Sequence, residues 1–328
     1  MKLSCAFATS LDTPRHIAVA EELGFERAWV YDSPALYPDA WMTLALAAGQ
    51  TSRITIGPAV LVPNLRHPMT NAAAIATLAA LAPGRVAIAI GSGFTGRYTL
   101  GQKPLRWVDV EAYIKALRGL LAGETVDWEG APIRMLHGPA YGAPRPIELD
   151  LLVGADGPKG TAVADRVGDG IFAAGVPNAH APSNRPHVLL QFGTVLAEQE
   201  SLRSPRVADA AGHAIAVLFH ALYERGGREG VAGFPGGEEW ADAIESVPEH
   251  ERHLSTHEGH LVRLSPFEEK AVMEAADMLP DLTFTGSPEQ LRVKIAAYEA
   301  AGVTEIAYQP AGQDIEGELQ RMAATFAG

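Results

Sequence analysis

The chain has 328 residues, of which 47% are hydrophobic and 20% are charged, and its formal net charge at pH 7 is −13. This length and hydrophobic content suffice for one large α/β domain or two smaller ones. The negative charge argues against a nucleic-acid partner, because neutralising phosphates requires clustered Lys and Arg. No segment has the roughly 20 apolar residues of a membrane span, and the N-terminal residues lack the features of a signal peptide. Together with a single cysteine, Cys5, this predicts a cytoplasmic protein without a membrane partner.

Short apolar runs alternate with amphipathic helical stretches along most of the chain. The runs predict strands at residues 2–8, 27–31, 54–61, 86–90, 147–153, 170–174, 188–196 and 304–309. The amphipathic stretches predict helices at residues 13–23, 39–48, 67–81, 107–121, 157–167, 207–223, 287–301 and 315–326. A surface hairpin is predicted at 125–136, a glycine-rich loop at 226–238, and helix and loop without a strand at 240–278.

The strands near residues 54–61 and 86–90 are apolar on both faces, which indicates a parallel sheet covered on both sides. Eight such strands at this length predict a (β/α)8 TIM barrel, in a single domain over residues 1–328 with an insertion near 226–280. A doubly wound open sheet is the alternative. In both folds ligands bind beyond the carboxyl ends of the strands, so functional residues are expected in the loops at 58–67 and 91–101.

Two glycine-containing loops follow predicted strands. Residues 91–96, GSGFTG, match the dinucleotide-binding pattern GxGxxG, but no helix is predicted directly behind them, so a tight turn that forms one wall of a ligand site is favoured. Residues 154–161, GADGPKGT, open a predicted helix whose N–H groups and dipole suit an anion, with Lys159 as an added charge. The neighbouring loop at 169–176 would complete a phosphate site; an ordinary βα loop is the alternative.

Two polar residues lie at ends of predicted elements. Asp32 ends the second strand, where a carboxylate either caps the next turn or faces a ligand pocket. His67 begins a helix, as a structural residue or as a ligand contact.

Four histidines, His250, His253, His257 and His260, are spaced so that they would share one helix face. The sequence HEGH at 257–260 is one residue short of the HExxH spacing of zinc proteases. No metal site is therefore predicted, and a helix face or lid lining a substrate pocket is favoured.

Several motifs, in order, resemble the bacterial-luciferase-like superfamily. They are IGPAVLVPNLRHPMTNAAAIATLAALAPGRVAIAIGSG, RYTLGQKP, VEAYIKALRGLLAGETVDWEG, VGADGPKGTAVADRVGDGIF and LTFTGSPEQLRVKIAAYEAAGVTEIAYQP. Within this superfamily the chain is most similar to the deazaflavin-dependent branch typified by methylenetetrahydromethanopterin reductase. The similarity covers most of residues 1–175 and 280–328, and it is specific for the superfamily rather than for a substrate.

The resemblance implies a (β/α)8 barrel that binds a reduced flavin-type cofactor at the carboxyl ends of its strands. It implies a non-proline cis peptide bond between Ala59 and Val60 that bulges against the back of the tricyclic ring. It places Asp32 near the ring and the cofactor phosphate near residues 154–159 and 175–176. The implied cofactor-binding residues are Asp32, Ala59, Val60, Ser92, Gly93, Thr95, Gly154, Ala155, Asp156, Gly157, Lys159, Gly175 and Val176.

The motifs RHP and GRYTLGQKP favour the deazaflavin coenzyme F-420 (F420) over FMN. Because a deazaflavin only transfers hydride whereas reduced FMN also activates dioxygen, the resemblance implies an oxidoreductase that moves hydride between F420 and a small organic substrate. Asp32 or His260 would handle the proton. The alternatives are an FMN-dependent monooxygenase supplied by a partner flavin reductase, and a non-catalytic flavin-binding or storage protein. The family also suggests a homodimer formed through the helices beside the second and third strands.

Overall fold

A computed structural model describes residues 1–138 and 140–328. The strands are β1 (Lys2–Phe7), β2 (Arg27–Val30), β3 (Thr55–Pro58), β4 (Ala87–Gly91), β5 (Val126–Trp128), β6 (Ala131–Ile133), β7 (Asp150–Gly154), β8 (Gly170–Ala174), β9 (His187–Phe192) and β10 (Glu305–Gln309). The helices are α1 (Thr13–Glu22), α2 (Ala40–Ala48), α3 (Pro68–Leu81), α4 (Thr95–Tyr98), α5 (Trp107–Ala122), α6 (Pro158–Val167), α7 (Pro205–Val231), α8 (Gly237–Glu245), α9 (Arg252–His257), α10 (Pro266–Glu274), α11 (Leu279–Leu282), α12 (Pro288–Ala300) and α13 (Ile315–Ala327). All eight strands and the hairpin, β5–β6, that the sequence predicts are present.

Eight strands form one sheet in the order β3-β2-β1-β10-β9-β8-β7-β4. Parallel bridges between Ile56 and Val86 and between Leu61 and Ile90 join the two ends of this order, so the sheet closes on itself. A doubly wound sheet would have two unpaired edge strands, and that alternative is therefore wrong. The predicted (β/α)8 barrel is confirmed.

The barrel closes where β3 passes very near β4, at a residue without a side chain. A Cβ atom built on Gly57 would lie 1.6 Å from the carbonyl oxygen of Ala87. Ile56 N donates a hydrogen bond to Arg85 O at 2.9 Å in the same place. Only glycine permits this approach of the two backbones.

Three helices begin at residues that favour the start of a helix. Proline occupies the first turn of both α3 and α6. His67 caps α3, and its Nδ1 accepts a hydrogen bond from Met69 N at 3.1 Å, so its interpretation as a structural residue is confirmed. Asp39 caps α2 in the same way by accepting from Met42 N.

The chain divides into two compact units. The first comprises Met1–Gly96, Lys103–Leu190 and Ala301–Ala307, and the second comprises Arg97–Gln102, Gln191–Ala300 and Tyr308–Gly328. Within the second unit, α7, α8, α10 and α11 share an apolar core. Its fully buried members include Phe219, Trp240, Ile244 and Leu279. None of the helices within the described ranges combines the length and hydropathy needed to span a membrane.

The predicted glycine-rich loop at 226–238 is confirmed only for residues 232–236, where the chain turns, because helices occupy both ends of the segment. α7 continues to Val231 across a kink at Gly227, whose φ of 60° a residue with a side chain rarely adopts. Val231 is fully buried in the apolar core of the second unit. Burial of apolar side chains therefore outweighs the low helix propensity of the glycines.

We expect Gly57→Ala to destabilise the barrel, because its methyl group would overlap the carbonyl of Ala87. Overpacking typically costs 1–3 kcal/mol, and a clash with backbone should cost at least about 3 kcal/mol. Urea denaturation measures the change. Gly49→Ala is the matched control, since its Cβ atom would lie 3.6 Å from the nearest atom, in ordinary contact. An unchanged unfolding midpoint for Gly57→Ala would contradict the proposed closure.

Candidate active site

The chain crosses the carboxyl end of the barrel directly after β3, through a cis peptide bond between Ala59 and Val60. This bond confirms the geometry that the family resemblance implies. Ala59 N donates to Val30 O at 2.9 Å, and Leu61 N donates to Ala89 O at 2.8 Å. The segment is thus held between β2 and β4.

The side chain of Val60 lies against the ends of two further strands, and both strands end in glycine. A Cβ atom on Gly154, at the end of β7, would be 2.7 Å from Val60 Cγ1. A Cβ atom on Gly91, at the end of β4, would be 3.0 Å from Val60 Cγ2. The two glycines therefore leave the space that Val60 fills, and Val60 itself stays partly exposed.

Asp32, which follows β2, is buried and forms an ion pair. Arg66 Nη1 donates to Asp32 Oδ2 at 2.5 Å, and Arg66 Nη2 donates to Asp39 Oδ2 at 2.6 Å. Asp32 exposes 2% of its side chain, whereas Asp39 exposes 40%. Burial raises the pKa of Asp32, and the Arg66 guanidinium only partly offsets this effect.

The loop after β4 lies beside the loop after β2. A Cβ atom on Gly96 would be 3.4 Å from both Asp32 O and Ser33 Oγ. Ser92 O accepts from Leu105 N at 2.9 Å, and Gly93 has a φ of 80°. A helix does begin directly behind this loop, at Thr95, contrary to the prediction, but α4 is a single turn of four residues.

The loops after β7 and β8 are tied to each other. Asp156 Oδ1 accepts a hydrogen bond from Ala174 N at 2.9 Å. Asn178 Nδ2 donates to Ala155 O at 2.9 Å and to Thr161 Oγ1 at 3.0 Å. Within this pair of loops, Gly157 precedes α6 at the cap position and has no side chain with which to bond the first N–H groups of that helix.

The predicted anion-binding residues differ in whether a hydrogen-bond donor or a positive charge is still available for an anion. Gly175 N donates to Leu190 O and Val176 N donates to Ala174 O, both at 3.0 Å. Lys159 lies in the first turn of α6 and is exposed. An anion in this place would therefore be bound by the N-terminus of α6 and by Lys159 rather than by the amides of residues 175–176.

The structure thus brings all of the predicted cofactor-binding residues to one end of the barrel. They lie at or directly after the ends of β2, β3, β4, β7 and β8: Asp32, Ala59, Val60, Ser92, Gly93, Thr95, Gly154, Ala155, Asp156, Gly157, Lys159, Gly175 and Val176. His260 belongs to the second unit, where its ring lies among other histidines.

The histidines at 250–260 do not share one helix face, so that prediction is wrong. α9 ends at His257, and the chain then turns through Gly259 at a φ of 74°. His250 lies on a short 3-10 helix before α9, with 80% of its side chain exposed. The spacing is that of a helix, but the glycine ends the helix before the last histidine.

Two residues of the candidate site were not found from the sequence. Arg66 lies in the quoted motif RHP, and a single basic residue in an apolar loop is a signal that a buried carboxylate lies nearby. Asn178 binds two loops through its side-chain amide, and a lone Asn in a loop carries no such signal.

An open groove lies at the opposite, amino-terminal end of the strands. It is lined by charged residues such as Arg118, Arg166 and Asp169. Arg118 pairs with Asp169 at 2.8 Å, and Arg166 pairs with Glu111 at 2.6 Å. Because barrel enzymes place their chemistry at the carboxyl end, we assign this groove a role in stability.

We expect Arg66→Gln to destabilise the chain by about 3 kcal/mol at pH 8, because it leaves the carboxylate of Asp32 buried without its partner. The loss in the free energy of unfolding caused by Arg66→Gln should be smaller at pH 5. Asp32 binds its proton more tightly when folded than when unfolded, so its contribution to stability falls as the pH rises from 3.8 through the raised pKa. Removing the guanidinium raises the pKa of Asp32 further. The pH range over which its contribution to stability falls then extends to higher pH.

Urea unfolding at pH 5 and pH 8 tests this expectation. Arg106→Gln is the control, because Arg106 pairs with Asp109 on the surface with 79% of its side chain exposed. If Arg66→Gln lowered the free energy of unfolding equally at pH 5 and pH 8, the destabilisation would not arise from the buried carboxylate of Asp32.

The chain matches a known family model and is similar to several curated proteins. The model of the luciferase-like monooxygenase family matches residues 10–305. The F420-dependent glucose-6-phosphate dehydrogenase of Beutenbergia cavernae is 34% identical over 182 residues, which are 49% of this chain and 52% of that protein. The 5,10-methylenetetrahydromethanopterin reductase of Methanolobus tindarius is 28% identical over 208 residues, 62% of this chain and 60% of that protein.

A solved structure shows the same fold over nearly the whole chain. The coenzyme F420 dependent tetrahydromethanopterin reductase from Methanopyrus kandleri superposes with a TM-score of 0.68 at 19% identity, covering 98% of each chain. By sequence, the chain spans about half the length of the curated relatives that it matches. Since the family model covers most of its residues, the chain belongs to the luciferase-like monooxygenase family.

Proposed function

We propose that the chain is an oxidoreductase that moves hydride between coenzyme F420 and a small organic substrate. The observation that carries this proposal is the segment after β3, where Val60 lies across two strands that end in glycine. Relatives that are named F420-dependent dehydrogenases support the choice of cofactor.

The residues at this end of the barrel fit a flat ring system. Val60 is partly exposed between Gly91 and Gly154, and neither glycine has a side chain that would stand above it. The loop at 92–96 stands beside this surface, next to the loop of Asp32. A planar heterocycle packs well against such an apolar surface bounded by backbone.

The exposed N-terminus of α6 fits the phosphate of such a cofactor. The first N–H groups of the helix lack a capping side chain because Gly157 stands at the cap position. The helix dipole and the ammonium of Lys159 both favour a negative charge in this position. Asp156 supports the site by holding the backbone of β8 rather than by meeting the anion.

When bound, F420 would supply a carrier of two electrons and one proton, which is hydride chemistry. Of the two residues considered for the accompanying proton, the geometry supports Asp32. Its carboxyl group lies at the carboxyl end of β2, and burial raises its pKa toward the range in which a group accepts and returns protons. Arg66 orients this carboxyl group through Nη1. The ring of His260, by contrast, is engaged with His220 in the second unit.

We further propose a homodimer and a cytoplasmic location. α2 presents Met42 and Leu46, which are 72% and 60% exposed, at the spacing of one helix face. A second copy of the chain would cover this apolar face, and sedimentation equilibrium measures whether it does. The buried thiol of Cys5 suits a reducing compartment.

Titration of the purified chain with F420 and with FMN tests the cofactor. We expect F420 to bind at least about tenfold more tightly, a difference of about 1.4 kcal/mol. Gly154→Ala should weaken this binding because its methyl group displaces Val60. Tighter binding of FMN, together with substrate-dependent oxygen uptake, would support a monooxygenase instead, and binding without any turnover would indicate a storage protein.

A comparison of Asp32→Asn with Asp39→Asn distinguishes an effect on proton transfer from an effect on stability, since both carboxylates bind Arg66. We expect Asp32→Asn to lower kcat about 10²–10⁴-fold, because it removes the proton-transfer group. Asp39→Asn should preserve kcat, since Asp39 caps α2 and 40% of its side chain is exposed. If the two variants turned over equally well with an F420-dependent substrate, Asp32 would have no part in the chemistry.

A further inference from the structure

The second unit contains a buried group of three histidines that the proposed hydride chemistry does not use. His220 lies on α7, His257 ends α9, and His260 lies in the turn that follows. Their exposed fractions are 1%, 1% and 7%. One ring nitrogen from each lies within 4.8 Å of those of the other two.

The hydrogen bonds around this group leave it incompletely satisfied. Among the residues that the structure describes, neither ring nitrogen of His257 has a hydrogen-bond partner. The carboxylate of Glu224 lies 3.4 Å from His257 Nε2, with Oε1 the near atom. A buried polar group without a partner is unfavourable, so two such nitrogens on one ring point to a missing ligand.

We propose that His220, His257 and His260 bind a divalent transition-metal ion, with zinc as the best fit. Imidazole nitrogen is a preferred ligand of zinc, and three histidines with one open or carboxylate-filled position form a common ligand set. The spacing of His250, His253, His257 and His260 predicts no metal here, because these histidines belong to one segment of the chain. His220 comes from α7, and its contribution depends on the tertiary fold.

A carboxylate already holds one of the three rings in the orientation that a metal would require. Glu268, on α10, lies with Oε1 2.9 Å from His220 Nε2. This leaves His220 Nδ1 directed at His260 Nδ1, at 2.8 Å. A histidine ligand that bonds a carboxylate through its other nitrogen is the usual arrangement at zinc sites.

Small side-chain movements would bring the nitrogens to coordination distance. Zinc–nitrogen bonds of about 2.0–2.1 Å in a tetrahedron place the ligand atoms about 3.4 Å apart. His220 and His260 would separate slightly, and His257 would approach.

The turn before the third histidine has a conformation that glycine alone accepts. Gly259 has a φ of 74°, and a Cβ atom there would lie 2.4 Å from Arg263 O. Leu261, directly after His260, also has a positive φ, of 61°. The bound ion would join α7 to this turn, about 40 residues later in the chain, and would stabilise the second unit.

The experiment uses untagged full-length protein, stripped of metal with a chelator and then titrated with Co²⁺ and Zn²⁺. We expect one ion per chain by elemental analysis, a visible cobalt spectrum of tetrahedral type that Zn²⁺ displaces, and a higher melting temperature with Zn²⁺. His257→Gln and His260→Gln should lower the affinity at least about 100-fold, and Glu268→Gln about 10–100-fold. His250→Gln is the control, because that histidine is exposed, and its affinity should equal that of the unaltered chain.

Absence of stoichiometric binding by the unaltered chain would overturn the proposal, and so would unchanged affinity in both His257→Gln and His260→Gln. Circular dichroism shows whether each variant folds. If a histidine variant fails to fold, the proposal is tested by the metal stoichiometry of the unaltered chain and by the metal affinity of Glu268→Gln. These measurements do not depend on F420, so their failure is distinguishable from a failure of the proposed hydride chemistry.

Discussion

The close approach of the chain after β3 to the ends of β4 and β7 is the constraint on which the candidate site depends. It is possible because glycine stands at positions 57, 91 and 154, where a methyl group would meet backbone or the side chain of Val60. The same approach completes the ring of strands and gives the barrel an apolar surface at its carboxyl end. Closure of the fold at Gly57 and the shape of the candidate site at Gly91 and Gly154 therefore both depend on residues without side chains.

Electrostatics adds a second constraint at this end of the barrel. Arg66 binds one buried and one exposed carboxylate, and it is half-buried itself. Tyr113 donates its hydroxyl to Arg66 O at 3.0 Å, which fixes the backbone from which the guanidinium extends. The orientation of the Asp32 carboxyl group thus depends on α5, an element that lies outside the loops of the site.

The barrel was predictable because its strands are apolar on both faces and are separated by helices with clear start signals. β4, AIAIG, is buried at all five positions, and such a run has few alternatives in an α/β protein. The second unit was not predictable to the same degree. Glycines at 226–227 and 230 indicate a loop by composition, yet packing of Val231 in the core keeps that segment helical.

Residues of the site were also predictable from the sequence only where the signal is local. Asp32 and the loop at 154–159 were found because strand ends and helix starts are local signals. The partner of Asp32 is 34 residues away, and the partners of His260 lie on α7 and α9. Spacing along one segment cannot reveal a pair that only the folded chain brings together.

The bonds from Asp156 to Ala174 and from Asn178 to Ala155 have a consequence for how a phosphorylated compound would be received. They join the loops after β7 and β8 to each other, so an anion that bound at the start of α6 would cost these loops little conformational entropy. Such a preorganised pair of loops would select a ligand by the position of its negative charge.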